Sequence, residues 1–260
     1  MMANKYLSAC FITTCIILIA IFTPAGSQSK PTNISERNGQ QDGSGEKTSS
    51  DNPGTIGASE KKEGKVKDRD GNTYKTILIG KQTWMAENLK TTQLNDGTPI
   101  PLTEDPNAWN SLTIPGYSWY DNNTANKDTY GALYNWYSVT TGKLCPIQWH
   151  VPSDSEISLL ADYLGGPAIA GGKLKESGII HWQSPNKWAT NESGFSALPG
   201  GYRDYVGRYF YIGSSGSWWS TTEYFASSSW SWYVHSAVKD FIRNISGKND
   251  GYSVRCVKDF

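Results

Sequence analysis

Side-chain chemistry needs reactive residue types at productive spacing, and this chain of 260 residues offers few. Its three histidines, His150, His181 and His235, stand far apart. None falls in the His-x-x-x-His or His-Glu-x-x-His pattern that places two imidazoles on one helix face for zinc. They read as structural or surface histidines, and no metal or cofactor is expected. Serine, histidine and aspartate are scattered without the order of a nucleophile, its base and an orienting acid, and scatter is not a triad. Paired-carboxylate hydrolysis stays open because any two of the 24 acidic residues could meet in the fold. Nothing in the spacing selects a pair, so the expectation is a protein that is not an enzyme.

What stands out instead is aromatic. All 11 tryptophans lie between Trp84 and Trp232, and of the 15 tyrosines only Tyr6 precedes that region by a wide margin. Rings with polar tips suit sugar rings and protein hot spots, yet they also fill cores. Trp84, Trp136, Trp149, Trp218 and Trp219 sit in motifs that read as core packing. The candidate ligand contacts are Tyr202, Arg203, Tyr205, Arg208, Tyr209 and Tyr211, crowded between Pro199 and Gly213. That segment reads as an exposed, glycine-bounded loop, the usual carrier of recognition on a rigid scaffold; the competing reading is mere loop packing. Trp109, Tyr117, Trp119 and Tyr120 form a second candidate patch. The expected function is calcium-independent, non-catalytic recognition of a glycan or a surface protein. The alternative is a structural or self-assembling surface component.

The N-terminus sets the compartment. Lys5 precedes an uncharged stretch from Tyr6 to Phe22, and Pro24 leads into Ala25-Gly26-Ser27, with small residues placed for signal cleavage before Gln28. Residues 1–27 thus read as a signal peptide. An uncleaved anchor is the alternative, since about 17 apolar residues just span a bilayer, and contact with a membrane is expected only through it. The protein is expected in the periplasm, at the cell surface or outside. Residues 28–65 hold Ile34 and Ile56 as their only large aliphatics and no aromatic, so they cannot bury enough surface to offset chain entropy. They read as a polar tether, and residues 66–260 as one domain. Without the leader and its Lys5, 23 basic side chains face 24 acidic ones; no basic stripe marks a nucleic-acid partner. Cys145 and Cys256 remain, an even pair in an oxidising compartment, where a bridge is the simplest assignment. It would close a loop of roughly 110 residues and contribute about 4–5 kcal/mol in the chain-entropy account. Two buried free thiols are the other reading.

The elements that must position these residues follow from pattern. Thr73–Ile79 and Gln82–Ala86 are β-favouring runs around Gly80-Lys81, a hairpin that should open the domain. Residues 91–128 are loop-like. Leu133, Trp136 and Tyr137 give 131–139 helical spacing. Ser153-Asp-Ser-Glu156 is a capping box ahead of Ile157, Leu160, Ala161 and Leu164, and Gly165-Gly166 supplies the exit, which predicts a helix over 154–164. Glycines and prolines from Gly171 to Gly201 predict long irregular loops. Strands return at 217–222, 230–236, 240–245 and 253–258, each mixing apolar and polar residues as in sheets with one wet face.

The motif series is distinctive in its order. Asp70-Gly-Asn-Thr-Tyr74, Gln82-Thr-Trp-Met-Ala-Glu-Asn-Leu89, Asn95-Asp-Gly-Thr-Pro99, Tyr130-Gly-Ala-Leu-Tyr-Asn-Trp136 and Cys145-Pro-Ile-Gln-Trp-His-Val-Pro-Ser153 come first. Ser196-Ala-Leu-Pro-Gly-Gly-Tyr-Arg203, Gly216-Ser-Trp-Trp-Ser-Thr-Thr-Glu223 and Gly251-Tyr-Ser-Val-Arg-Cys-Val-Lys-Asp259 follow. From about residue 66 onward the chain resembles the Fibrobacter succinogenes major paralogous domain family, which looks like a branch of the C-type lectin-like superfamily. The resemblance implies an α+β, C-type lectin-like fold: two short helices packed on antiparallel sheets with long irregular loops, first and last strands adjacent. A cysteine after the first helix joined to the last strand would suit it. The superfamily includes sugar binders, protein binders and a copper-dependent oxidase class, and fold alone does not choose among them. The Glu-Pro-Asn or Gln-Pro-Asp and Trp-Asn-Asp ligands of calcium-dependent lectins are missing; the corresponding strand reads Trp230-Ser-Trp-Tyr-Val234. Formylglycine-generating enzymes share the glycine-rich approach to a C-terminal Arg-Cys strand, but copper there needs two thiols, which a bridge would consume.

Overall fold

The structure is a computed structural model and describes residues 63–259. The leader over 1–27 and nearly all of the tether fall outside the described residues. Five strands form a first sheet in the order β1-β2-β3-β12-β6: β1 (Glu63–Lys67), β2 (Thr73–Ile79), β3 (Gln82–Met85), β6 (Trp149–His150) and β12 (Val257–Lys258). A second has the order β11-β10-β9-β7-β8: β7 (Gly200–Arg203), β8 (Tyr209–Ile212), β9 (Ser215–Phe225), β10 (Ser228–His235) and β11 (Ile242–Gly247). A small pair, β4 (Tyr117–Ser118) with β5 (Leu133–Tyr134), completes the strands. Pairing is antiparallel except between β7 and β9, which meet in parallel at Gly201 and Gly216. Helices α1 (Pro106–Asn110), α2 (Lys127–Tyr130) and α3 (Trp136–Val139) are single turns, while α4 (Asp154–Tyr163) and α5 (Pro167–Leu174) are longer. The architecture is mixed helix and sheet, mostly sheet, with curled antiparallel strands. No helix among the described residues is long and apolar enough to cross a membrane.

The β2–β3 hairpin and helix α4 follow their sequence patterns. Thr76 pairs with Met85 and Ile79 with Gln82 around a Gly80 at φ 61°. The α4 cap forms as the sequence dictates: Ser153 Oγ accepts from the Glu156 N–H while Glu156 Oε2 accepts from the Ser153 N–H at 2.8 Å. Ile157, Leu160 and Ala161 turn inward. They join Ile77, Trp84, Leu174, Trp218, Trp232 and Val234 in one apolar cluster, so both sheets and both longer helices share a core. A second cluster gathers Tyr74, Met85, Tyr134, Trp136, Trp149, Trp219 and Tyr252 around the Cys145–Cys256 disulfide. All five tryptophans read as core are buried.

Four expectations are corrected. The irregular loop expected after Gly166 contains α5, because Pro167 starts a helix whose Gly171 faces backbone: a Cβ there would lie 2.0 Å from the Asp240 carbonyl oxygen. Gly171 and Gly172 mark close approach, and the expected irregular stretch begins only after α5 and runs to β7. The helix expected over 131–139 shrinks to α3, since Leu133 and Tyr134 pair with β4. Strand β1 precedes the expected first hairpin and takes in Glu63, Gly64 and Lys65, assigned above to the tether. The expected strand over 253–258 is regular only at Val257 and Lys258. These two insert between β3 and β6, with Val257 opposite both Trp84 and His150.

Three buried cations pin the loops. Lys175, Arg203 and Arg255 are essentially inaccessible and donate to backbone carbonyls: Lys175 Nζ to Lys187, His235 and Val238 at 2.8–3.0 Å, and Arg255 Nη2 to Ser196 at 3.0 Å. Arg255 Nε also donates to Asn88 Oδ1 at 2.8 Å, which accepts Trp218 Nε1 at 2.9 Å. Hydrogen bonding of this kind is what makes burial of a charged group tolerable.

Candidate functional site

The segment from Pro199 to Gly213 is a β-hairpin, which corrects the exposed-loop reading. Its turn is organised by Asp204, whose Oδ1 accepts the N–H groups of Val206 (3.1 Å) and Arg208 (2.8 Å). Strand alternation then separates the candidate ligand contacts. Arg203 pairs with Tyr209 and Tyr202 with Phe210. Arg203 is 0% exposed: Nε donates to the Gly207 carbonyl (3.2 Å) and Nη2 to Glu104 (2.8 Å), Nη1 donates to Thr103, and the guanidinium lies 4.4 Å from the Trp109 ring centre. It is a structural residue, and burial lowers its pKa from the ordinary value. Tyr209 packs on Tyr120 with ring centres 5.2 Å apart and donates to Asn122. Arg208 pairs with Asp204 at 2.7 Å. Tyr205 is 57% exposed and belongs to the turn. The second candidate patch is mostly core, with Trp109, Tyr117 and Trp119 buried.

Tyr202 and Tyr211 come together elsewhere. Between the pairs Gly200–Ile212 and Tyr202–Phe210, both Gly201 (φ 65°) and Tyr211 (φ 64°) have left-handed backbone. Irregularity of this kind re-aims a side chain. Here it brings the Tyr211 ring centre within 5.9 Å of Tyr202. Only glycine fits at 201, where a Cβ would sit 2.4 Å from the Phe210 carbonyl oxygen. Tyr202 in turn meets Tyr252 edge-on at 5.6 Å.

These three tyrosines wall a groove of about 360 Å³ whose floor is the wet face of the second sheet. Alternation explains the floor. Gly216 and Trp218 of β9, and Trp232 and Val234 of β10, point one way, and the tryptophans and Val234 enter the core. Ser215 and Ser217, Tyr233 and His235, and Asn244 of β11 line the groove. Cross-strand registers place Tyr233 opposite Ser217 and His235 opposite Ser215. Further along the same face, Ser231 Oγ and Ser246 Oγ are 2.7 Å apart, and Ser246 also contacts Tyr252 Oη at 3.1 Å.

The groove's chemistry is that of neutral donors and acceptors. Burial raises the phenol pKa of Tyr202 and Tyr252 above the ordinary value, so both remain protonated. The Ala237 N–H donates to His235 Nδ1 at 3.1 Å, which leaves the ring proton on Nε2. Tyr233, Tyr252, Ser217 and Asn244 were not singled out from sequence, and His235 was read only as a structural or surface histidine. The signal was the alternation in Ser229-Trp-Ser-Trp-Tyr-Val-His235, whose odd positions form the polar face. His150 and His181, by contrast, are paired. His150 bridges Glu156 (2.8 Å) and Asp259 (2.6 Å), and His181 Nδ1 meets both Glu176 oxygens at 2.9–3.0 Å. No group of three or more potential metal ligands is gathered among the described residues.

An α+β domain with a tyrosine-walled groove on the open face of an antiparallel sheet is thus the class that fold and site define. The family model of the Fibrobacter succinogenes major domain matches residues 77–258. The chain belongs to that family. No curated protein and no solved structure matches it significantly.

Proposed function

We propose that this chain is an exported cell-surface binding module of C-type lectin-like architecture, which recognises its ligand in the tyrosine groove without catalysis and without calcium. The helices sharing a core with both sheets support that architecture, and the last strand lies within the first sheet, although beside β3 and β6 and not beside the first strand β1 as expected. The observation that carries the function is the groove itself. The hydroxyls of Tyr202, Tyr211, Tyr233 and Ser217 line it and make no hydrogen bond to another described residue, so they are free to donate to and accept from a ligand. A glycan array followed by calorimetry tests the reading. Tyr211→Ala and Tyr233→Ala are each expected to weaken the ligand found by about 1–3 kcal/mol if these are hot spots. Chelator should leave affinity unchanged. Equal affinity in both folded variants would move recognition to another surface, and loss of binding with chelator would make the site cation-dependent.

A second reading, a self-assembling surface component, draws on Tyr224, Phe225 and Ile245, which are exposed beside Trp230 at one end of the β9–β10 ribbon. Exposed clusters of this kind mark contact sites. Size-exclusion chromatography separates the two: concentration-dependent association abolished by Phe225→Ser supports assembly, and a monomer at all concentrations refutes it.

A further inference from the structure

Resting on the groove reading above, we infer that the ligand is an uncharged saccharide, held by the tyrosine faces and by hydroxyl and imidazole groups, and that acidic glycans are excluded. Three observations converge. First, no formally charged side chain lines the groove. The two carboxylates of the adjoining turns are engaged elsewhere, Asp204 with Arg208 and Asp250 with the Gly247 N–H at 2.9 Å. A uronate or sulfate entering this space would meet no lining cation to offset the water that its charge gives up. Other depressions among the described residues differ: one carries Lys90, Asp128, Glu176 and His181, another Lys65, Lys67 and Lys258, and a third Lys67, Asp68 and Arg69.

Second, the uncommitted groups match sugar hydroxyls in kind. The phenols of Tyr202, Tyr211 and Tyr233 and the hydroxyl of Ser217 each donate and accept, as does every hydroxyl of a neutral sugar. His235 Nε2–H adds a donor, and Asn244 Oδ1 an acceptor, since the Asn244 amide nitrogen is turned to Ser246 at 3.3 Å. An extended peptide would seek backbone partners along a strand edge. The groove floor instead presents side chains from the face of the sheet, from β9 and β10 out to the edge strand β11. Third, the walls are aromatic faces with one exposed lip. Tyr211 is 57% exposed, so its ring can lie against the apolar C–H face of a pyranose while the phenol stays wet. A volume of about 360 Å³ is at the lower end of the roughly 300–1,000 Å³ typical of small-ligand sites, suited to a short saccharide segment.

Affinity electrophoresis of the full chain tests this. Native gels containing neutral polysaccharides (a β-glucan, an α-glucan, a xylan, a mannan) are compared with gels containing polygalacturonate or a sulfated galactan. The expected result is retardation by at least one neutral polymer and by neither acidic one, with affinity falling about ten-fold in Tyr211→Ala and Tyr233→Ala of unchanged circular dichroism. Asn244→Arg, on an exposed position, should create retardation by the acidic polymers. Retardation by acidic polymers alone, lost in the tyrosine variants, overturns the neutral-ligand inference while the groove reading survives. Retardation by a neutral polymer that ignores all three substitutions sinks the groove reading itself. No retardation by any polysaccharide also overturns the inference, and isolation of a protein ligand dependent on Tyr211 would replace it.

Discussion

Replacing Arg203 by alanine removes a cation that ties the β7–β8 hairpin to the loop at Thr103 and Glu104. The side chain makes three hydrogen bonds, to the carbonyls of Gly207, Thr103 and Glu104. Each carbonyl left unpaired costs about 1–3 kcal/mol. The guanidinium also lies over the Trp109 and Tyr209 rings, at 4.4 and 5.0 Å, contacts worth about 2 kcal/mol when desolvated. Against these losses, the variant no longer desolvates a guanidinium, which returns several kcal/mol. The net expectation is a loss of about 2–4 kcal/mol in urea unfolding with unchanged denaturant slope. Arg203→Lys keeps the charge but loses the planar fork that reaches Gly207 through Nε and residues 103–104 through the two Nη atoms, so it should fall between alanine and wild type. Ligand affinity, measured where both proteins are folded, should move far less than in Tyr211→Ala. Stability within about 0.5 kcal/mol of wild type, the scatter of surface substitutions, would refute the structural role. A large affinity loss at full stability would return Arg203 to the binding surface.

Two further outcomes follow from the same geometry. His150 is held between two carboxylates with its pKa raised to about 9 from 6.5, chiefly through the hydrogen bond to Glu156. Its contribution is therefore complete below pH 6.5 and disappears as pH rises through 9. Solvent screening of the partly exposed cluster limits the effect to about 1 kcal/mol. Stability measured from pH 6 to 10 should show this decline, and His150→Gln should flatten it; an identical slope in the variant would exclude His150 as its source. Cys256→Ser opens the bridge to Cys145, and chemical denaturation should show a loss of about 4–5 kcal/mol. A loss below about 1 kcal/mol would mean that the unfolded chain is already compact, a known departure from the entropy account.

Local signals carried the parts of the fold that are locally determined. The Gly80-Lys81 turn and the Ser153–Glu156 capping box each fix geometry within a few residues, and both β2–β3 and α4 were legible from them. Helix α5 was not. Gly171 and Gly172 lower helix propensity, and their reason is the approach of the Asp240 and Trp188 backbones, which lies far off in sequence. Strand β1 has only Val66 as an apolar guide and exists because β2 offers an edge. The groove was half legible. Composition located Tyr202 and Tyr211, but crowding says nothing about direction. The register around Asp204 decides that Arg203 and Tyr209 turn away, and the left-handed backbone at Tyr211 decides that it turns in. Ser217, Tyr233 and Asn244 belong to three strands, so only sheet pairing makes them neighbours.

The seat of β12 between β3 and β6 imposes a timetable on the molecule. During synthesis, the hairpin of β2 and β3 emerges early, yet the Trp84 edge of β3 has no partner until Val257 has been made. An uncovered strand edge invites pairing with other chains. The nascent protein therefore carries an open template through most of its translation, and any truncation before Val257 leaves two strands, β3 and β6, without their common neighbour. The bridge to Cys145 obeys the same clock, because Cys256 lies next to Val257. Completion of the first sheet and oxidation of the thiols are thus a single late event, and a chain escorted in an unfolded state until its last strand is available would be spared the interval in which that edge is exposed.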